Sequence, residues 1–291
     1  MLRPDFTVPV VQRHMAENAE PARYTYDGPV FRYQDGDTER TAQSEQVGYE
    51  VFDSGPANVI EAEVFALFHK ILAPHGLTAS TGDVGLLVAA IDGLTTSDAR
   101  KAALRRHIWR PSRFQALLVR FSQPVVEKGL GLGGQQIGLR NSFDVDERLV
   151  QLIDEAAAKP IPQIEIDALN DLLEIKGSLL GALTELQSLA LRLPAIAPAV
   201  DHMLARLTAL RVAGVDVAQI GFEAAYGLTA MEYYDGFVFG FYANKADWPA
   251  VASGGRYDAL TRVLGQGRDV PAVGGIIRPE LTVQLVGGDT R

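Results

Sequence analysis

The sequence predicts an α+β fold in which strand-rich ends enclose a mainly helical middle. Short apolar runs divided by Gly, Pro and Asp occur within residues 1–60 and return at 215–243 and 270–278. Between them, residues 97–210 repeat apolar side chains at helical spacing. We therefore predict one core domain, formed by residues 1–96 and 211–291, that carries a helical insertion at 97–210.

The individual elements are predicted from the Gly, Pro and Asp residues that separate them and from the spacing of their apolar residues. The runs FTVPVV, GPVFRYQ and EQVGYEVF are typical of strands. Residues 61–76 have helical spacing and end at Pro74 and Gly76. We expect a strand at 78–84, a helix in GLLVAAIDGL, a capped helix start at Ser97, and a helix that begins near Tyr257 in GGRYDALTRVLG.

Composition limits the classes of function. The chain has 291 residues, a net charge of −9 and no cysteine. This charge argues against broad nucleic-acid binding, although a local basic patch at Arg100–Arg113 stays open. Without cysteine there is no disulfide framework, thiolate metal site or cysteine nucleophile, which fits a cytoplasmic protein. The start, MLRPDFTVPV, lacks a signal-peptide core, and no run of about 18 apolar residues predicts a membrane span.

Common cofactor and metal motifs receive little support. Gly129–Gly134 formally matches G-x-G-x-x-G, but a predicted helix precedes it where the dinucleotide fold needs a strand, so we interpret it as a loop. The five histidines lack metal-ligand spacing, and neither a Walker loop nor G-x-S-x-G occurs. We predict no cofactor, no metal and no catalytic residue.

Alternation along the predicted strands indicates a polar floor. In SEQVGYEVF, the side chains of Gln46, Gly48 and Glu50 share one face. An amide and a carboxylate on either side of a glycine leave room for a ligand, but an ordinary solvent-facing strand gives the same pattern. Arg32, in the middle of PVFRYQ, needs a carboxylate partner or an anion.

Two further segments complete a candidate site. Asp5 and Thr7 share a parity, and together with the polar floor and Arg32 they suit a small zwitterion. In MEYYDGFVF, we expect Tyr233 and Tyr234 to point to opposite faces of a strand, so that one of them faces the ligand.

Four segments in this order resemble the catalytic domain of the histidyl-tRNA synthetase family, a class II synthetase fold. They are LRPDFT, FRYQ followed by QVGYEVF, MEYYDGFVF, and GGRYDAL followed by PAVGG. The resemblance covers both ends of the chain. It implies an antiparallel sheet flanked by helices.

The departures from the family pattern concern ATP. Five positions at which the family binds the nucleotide or stabilises the transition state carry other residues here: Gln34, Ala42, Ser44, Thr229 and Leu281. Phosphoryl chemistry depends on positive charge placed at the phosphates. The resemblance therefore implies that this chain does not form an adenylate.

The positions at which the family holds the amino acid are retained more fully. They are Asp5, Thr7, Arg32, Gln46, Glu50, Tyr233 and Tyr234, with Asp5 in place of a glutamate. By resemblance, Glu50 and Tyr234 face the imidazole of histidine, and Asp5, Thr7 and Gln46 surround its α-amino group. The resemblance thus implies a histidine-binding site.

A histidine site without ATP groups resembles one branch of this family, the regulatory subunits of ATP phosphoribosyltransferase. That resemblance implies a non-catalytic protein that binds a short-form catalytic subunit, activates it and conveys feedback inhibition by histidine, the product of the pathway. It also implies self-association and no tRNA partner. The sequence lacks the motif 1 region that precedes LRPD in the family and an anticodon-binding region after motif 3. A histidyl-tRNA synthetase fragment and another synthetase-like amino-acid sensor stay open as alternatives.

Overall fold

The computed structural model describes residues 2–17, 19–32, 42–124, 150, 153, 157–228, 233–246 and 248–287. Within these ranges, eight strands form one sheet. They are β1 (Ala22–Phe31), β2 (Gln43–Phe52), β3 (Thr78–Asp83), β4 (Lys176–Ser178), β5 (Ile220–Glu223), β6 (Phe237–Tyr242), β7 (Ala252–Arg256) and β8 (Ala272–Ile277). Their order is β1-β2-β8-β7-β6-β3-β5-β4, and only the β3–β5 pair is parallel.

The same ranges contain ten α-helices that flank the sheet. They are α1 (Thr7–Glu17), α2 (Ala57–Leu72), α3 (Val84–Asp92), α4 (Asp98–Arg106), α5 (Pro111–Phe121), α6 (Gln163–Glu174), α7 (Leu179–Ala190), α8 (Ala197–Val212), α9 (Asp258–Leu264) and α10 (Pro279–Val286). This confirms the predicted α+β fold with a mostly antiparallel sheet. None of the helices described is long and apolar enough to cross a membrane.

One face of the central sheet packs against α2. The ring of Phe65 on α2 lies 6.1, 5.5 and 5.3 Å from the rings of Phe237, Phe239 and Phe241 on β6. Alternate residues of a strand share one face, so these β6 rings all point to α2. The apolar core therefore occupies this side of the sheet.

Glycines make space on the opposite face. A Cβ atom at Gly48 of β2 would collide with the ring of Tyr26, and one at Gly240 of β6 would collide with the hydroxyl of Tyr226. The ring of Tyr26 therefore lies over β2, and the hydroxyl of Tyr226 lies over β6. The result is a tyrosine-lined surface above the central strands, where a ligand site can form.

The N-terminal segment differs from its predicted form. FTVPVV lies at the start of helix α1 and is not a strand. Val11, His14 and Met15 are buried at helical spacing, and the last two lie beyond the short apolar run. The helical period therefore becomes visible only over a longer segment than FTVPVV. Pro9 is compatible with this helix because its first turn needs no backbone N–H donor.

The other predicted elements agree with the structure more closely. The strand expected at 78–84 is β3, and the helix expected near Tyr257 is α9, which begins one residue later. The segment 97–210 contains helices α4 to α8, and its short strand β4 joins the sheet beside β5. The domain division at 97–210 stays a prediction.

Candidate functional site

A cavity of about 260 Å³ lies on the tyrosine-lined face, next to β2, β7 and β8. The residues that surround it come from both ends of the chain. They are Asp5, Thr7, Arg32, Gln46, Glu50, Tyr226, Tyr233, Tyr234, Tyr242, Ala250, Ser253, Tyr257, Gly274, Gly275, Ile276 and Arg278. All seven residues selected from the sequence line this one cavity, and their histidine-binding role stays a prediction.

The floor of the cavity is the polar face of β2. Gln46 is 2% exposed and Glu50 is 1% exposed, whereas Val47 on the opposite face is 42% exposed. The solvent-facing interpretation of the polar face is therefore wrong, because both of its polar side chains are buried. On the opposite face, Val51 is buried as well. Gly274 of β8 leaves the room that Glu50 occupies, since a Cβ atom there would collide with Oε2 of Glu50.

Glu50 is surrounded by hydroxyl groups. Tyr26 donates a hydrogen bond of 2.8 Å and Thr7 one of 3.2 Å to Oε1, and Tyr257 donates one of 2.6 Å to Oε2. No positively charged side chain among the described residues pairs with this carboxylate. Its negative charge is therefore solvated by neutral donors only.

The protonation of Glu50 reflects this environment. Burial raises its pKa to about 7, although the hydrogen bonds from Tyr257, Tyr26 and Thr7 act in the opposite direction. The nearby charge of Asp5 raises the pKa further. A positively charged ligand group placed here would favour the carboxylate form.

Gln46 carries an unsatisfied polar atom. Its Oε1 is buried and has no hydrogen-bond partner within the described part of the chain. An unpaired buried acceptor is costly, and such atoms in a cavity wall often bind a ligand donor. Gln46 and Glu50 together make an acceptor-rich end that suits N–H groups.

Arg32 and Thr7 reach the cavity differently from the prediction. Arg32 is not in the middle of a strand but follows the last residue of β1, where its backbone N donates to Ala42 O (2.8 Å) and its Nε to Pro4 O (3.1 Å). Thr7 is the first residue of α1, so strand parity with Asp5 is the wrong explanation for their proximity.

The tyrosine pair also departs from its predicted geometry. Strand β6 begins only at Phe237, so Tyr233 and Tyr234 are not on a strand, and both line the same cavity with ring centroids 4.8 Å apart. The carboxylate of Asp235 accepts hydrogen bonds from the backbone N of Asp258 (3.0 Å) and of Ala259 (2.5 Å). These bonds fix the segment to the start of α9 and allow both rings to turn inward.

Several cavity residues were not identified from the sequence. They include Tyr226, Tyr242, Tyr257 and Arg278. Tyr26, which donates a hydrogen bond to Glu50 but does not line the cavity, was not identified either. Tyr257 lies in the quoted GGRYD segment, which was the available signal. Tyr26 reaches Glu50 because β1 pairs with β2 in the register that places it opposite Gly48.

Three of the five ATP-related positions can be located. Ser44 pairs with Val30 between β2 and β1, Ala42 is exposed beside β2, and Leu281 lies in α10 and packs against the core. None of these three side chains is positively charged. Gln34, Thr229 and the Gly129–Gly134 motif lie outside the described residues.

The fold and this cavity define a protein of the class II synthetase type. A family model described as histidyl-tRNA synthetase matches residues 1–120 and 144–280, which is most of the chain. Two solved structures share the fold. One is an ATP phosphoribosyltransferase regulatory subunit/histidyl-tRNA synthetase from Bacillus halodurans C (TM-score 0.67, 23% identity) and the other is histidyl-tRNA synthetase from Nostoc sp. PCC 7120 (TM-score 0.63, 18% identity). Each comparison covers 98% of this chain, but only 65% and 59% of those chains.

Curated relatives narrow the assignment. ATP phosphoribosyltransferase regulatory subunits from Mesorhizobium japonicum and Sinorhizobium medicae are 29% and 30% identical to this chain. Both comparisons cover 94% of this chain and 80% of the relative. The chain belongs to the histidyl-tRNA synthetase-like family of ATP phosphoribosyltransferase regulatory subunits.

Proposed function

We propose that this chain binds a short-form catalytic subunit of ATP phosphoribosyltransferase, activates it, and conveys inhibition by histidine, without catalysing a reaction itself. Self-association and the absence of a tRNA partner are part of this proposal. The observation that carries the histidine site is the buried acceptor end of the cavity. There, Glu50 and the Oε1 atom of Gln46 have no cationic or N–H partner among the described side chains.

The chemistry of the cavity suits a small amino acid with a basic side chain. An imidazole N–H or an ammonium group can donate to the carboxylate of Glu50 and to the carbonyl of Gln46. Arg32 lines the same cavity and can bind a carboxylate. The aromatic walls formed by Tyr233, Tyr234 and Tyr257 can pack against an imidazole ring.

The absence of catalysis is supported by the ATP-related positions. At Ala42 and Leu281, where the resemblance places arginines, no positive charge is available. A phosphoryl transition state would therefore lack electrostatic stabilisation at those two places. A site of this kind can recognise an amino acid but is poorly equipped to activate it.

Regulation requires more than binding. Histidine can inhibit the partner only if it binds the active and inactive arrangements of the complex with different affinities. The cavity is built from both ends of the chain, including Thr7 on α1 and Tyr257 before α9. A ligand that contacts both groups can favour one arrangement of these segments.

The test is to mix the purified full chain with a short-form catalytic subunit and to measure phosphoribosyl transfer with and without histidine. We expect turnover to rise on mixing and to fall when histidine is added. Glu50→Gln should shift the inhibition to higher histidine concentration. Arg192→Gln, which alters an exposed pair with Asp171, is a matched control that should leave both responses unchanged. An unchanged turnover on mixing would contradict the proposal.

One activity assay and one binding measurement separate the alternatives. Histidine-dependent ATP–pyrophosphate exchange by the isolated chain would indicate a synthetase fragment, and we expect none. Calorimetry with histidine, arginine and lysine would distinguish a histidine effector from another amino-acid ligand. We expect heat of binding with histidine at the lowest concentrations.

A further inference from the structure

The basic end of the cavity contains an arginine, Arg278, that was not selected from the sequence. Arg278 follows the last residue of β8, and its side chain lines the cavity together with Arg32. Its backbone N donates to Val251 O (2.8 Å) and its Nη1 donates to Ala250 O. These two bonds hold the start of the side chain and one end of the guanidinium against the 250–251 segment.

Both arginines lack a carboxylate partner. Within the described ranges, no Asp or Glu oxygen lies within 4 Å of either guanidinium, whereas the buried arginines 206 and 256 are each paired with two carboxylates. In a chain with a net charge of −9, two cations that face one cavity without a counter-ion indicate an anionic ligand group.

The two guanidinium groups also influence each other. Burial lowers the pKa of Arg278, and the charge of Arg32 lowers it further, whereas three neighbouring tyrosines act in the opposite direction. Bringing these like charges together is unfavourable unless an anion compensates them. The carboxylate end of the cavity is provided by Glu50 and Asp5, so the site has one acidic and one basic end.

We propose that Arg278, together with Arg32, anchors the carboxylate of the amino-acid ligand and makes the site selective for ligands in which that carboxylate is free. This inference rests on the proposed effector site and adds a specificity-determining residue to it. The free N–H groups of Arg278 can bind one carboxylate oxygen while Arg32 binds the other.

The test compares histidine with histidinamide, which keeps the imidazole and the α-amino group but replaces the carboxylate with a neutral amide. By calorimetry on the full chain, we expect Arg278→Gln to weaken histidine binding about 10- to 100-fold and histidinamide binding less than about 3-fold. Arg278→Lys, which keeps the charge but not the planar donor pair, should fall between. Arg262→Gln, at an exposed arginine paired with Asp269, is the matched control and should not alter either affinity.

A preserved preference for histidine over histidinamide in Arg278→Gln would overturn the inference, as would equal weakening of both ligands in a variant that unfolds at the native midpoint. If the native chain binds no histidine, the histidine role falls, and arginine and lysine are compared with their amides. An Arg278-dependent preference for any free amino acid would then support the carboxylate anchor. No preference for any of them would overturn it too.

Discussion

Two glutamates, each 1% exposed, are buried in opposite electrostatic environments. Glu50, in the cavity, receives hydrogen bonds from hydroxyl groups. Its pKa is raised to about 7, and burial is the main cause. Glu61, on α2, pairs with two arginines and with His202. Burial would raise its pKa, but Arg206, His202 and Arg256 together hold it well below its usual range.

The contacts explain this contrast. Oε2 of Glu61 accepts from Arg206 (2.8 Å) and lies 3.0 Å from Nε2 of His202, and Oε1 accepts from Arg256 (2.5 Å). Arg206 also donates to Asp83 (2.8 Å), and Arg256 to Asp258. Glu61 is therefore neutralised inside the protein, which is typical of a structural network. Glu50 has no such partner in the described part of the chain, which is typical of a site that awaits a cationic ligand.

The largest expected effect comes from breaking the Glu61 network. Arg206→Met keeps an apolar side chain near Phe237 but leaves Glu61 and Asp83 without the charge they share. Removing one partner of a buried ion pair typically costs about 3–5 kcal/mol of the free energy of unfolding. Urea unfolding of the native chain and of Arg206→Met at pH 8 measures the difference in the free energy of unfolding.

A surface pair provides the control for this prediction. Arg192→Met removes an ion pair with Asp171 in which both side chains are about half exposed. We expect a loss below about 1 kcal/mol, because water and salt screen exposed pairs. Equal losses in the two variants would contradict the structural role of the Glu61 network.

The second prediction concerns the pH dependence of the two glutamates. The pKa of Glu50 is raised in the folded protein from 4.5 to about 7, so its carboxylate form destabilises the fold. Protonated Glu50 therefore does not lower the free energy of unfolding below about pH 4.5. As the pH rises through about 7 and Glu50 ionises, the folded protein loses about 3 kcal/mol of stability. Glu50→Gln should therefore gain stability relative to the native chain between pH 5 and pH 8.

Glu61→Gln should behave in the opposite way. Because the folded pKa of Glu61 is lowered, its contribution is present above the unfolded pKa and is lost as the pH falls through the folded pKa. This variant should be less stable than the native chain at pH 8. Unfolding curves of both variants from pH 5 to pH 8 measure the comparison, and the same sign of change in both would refute it.

The sequence predicted the floor of the cavity better than its walls. Gln46 and Glu50 follow from the period of one strand, which is local information. The neighbours of Glu50 depend on non-local pairing: Tyr26 reaches it through the β1–β2 register, and Tyr257 lies 207 residues away. Glu61 and Arg206 are 145 residues apart, so no local pattern could indicate their ion pair.

The incorrect elements have the same origin. FTVPVV has the composition of a strand, but its helical form depends on the burial of Val11, His14 and Met15 under the sheet. Tyr233 and Tyr234 have the composition of a strand start, but hydrogen bonds to Asp235 hold the segment at α9. In both places tertiary contacts override local preference.

The third prediction addresses the ligand. If the imidazole donates a hydrogen bond to Glu50, Glu50→Gln should weaken histidine binding by about 1–3 kcal/mol. Calorimetry at pH 8, where the native carboxylate is mostly ionised, measures this difference. Gln replaces Glu with little change in volume, so a change in affinity reports the lost charge. Unchanged affinity would mean that histidine binds elsewhere, such as at a subunit interface.

The smallest expected effect separates the hydroxyl groups around Glu50 from ordinary surface hydrogen bonds. Tyr257→Phe removes the 2.6 Å bond to Oε2 of Glu50, and the ring keeps its contacts with Phe52 and Tyr233. We expect a loss of about 1–2 kcal/mol at pH 8, because a buried carboxylate loses a donor that no described charge replaces.

The matched control is Tyr49→Phe, which removes a 2.9 Å bond to the partly exposed Glu63, a carboxylate also paired with Arg23. Its loss should be below about 1 kcal/mol and should change little between pH 5 and pH 8. The loss in Tyr257→Phe should instead shrink toward pH 5, where Glu50 is mostly protonated and the charge-assisted bond no longer forms. Parallel pH profiles for the two variants would show that Glu50 is solvated by groups other than Tyr257. If neutral hydroxyl groups alone solvate this carboxylate, the loss of stability in Tyr257→Phe should change more steeply with pH than the loss in Tyr49→Phe.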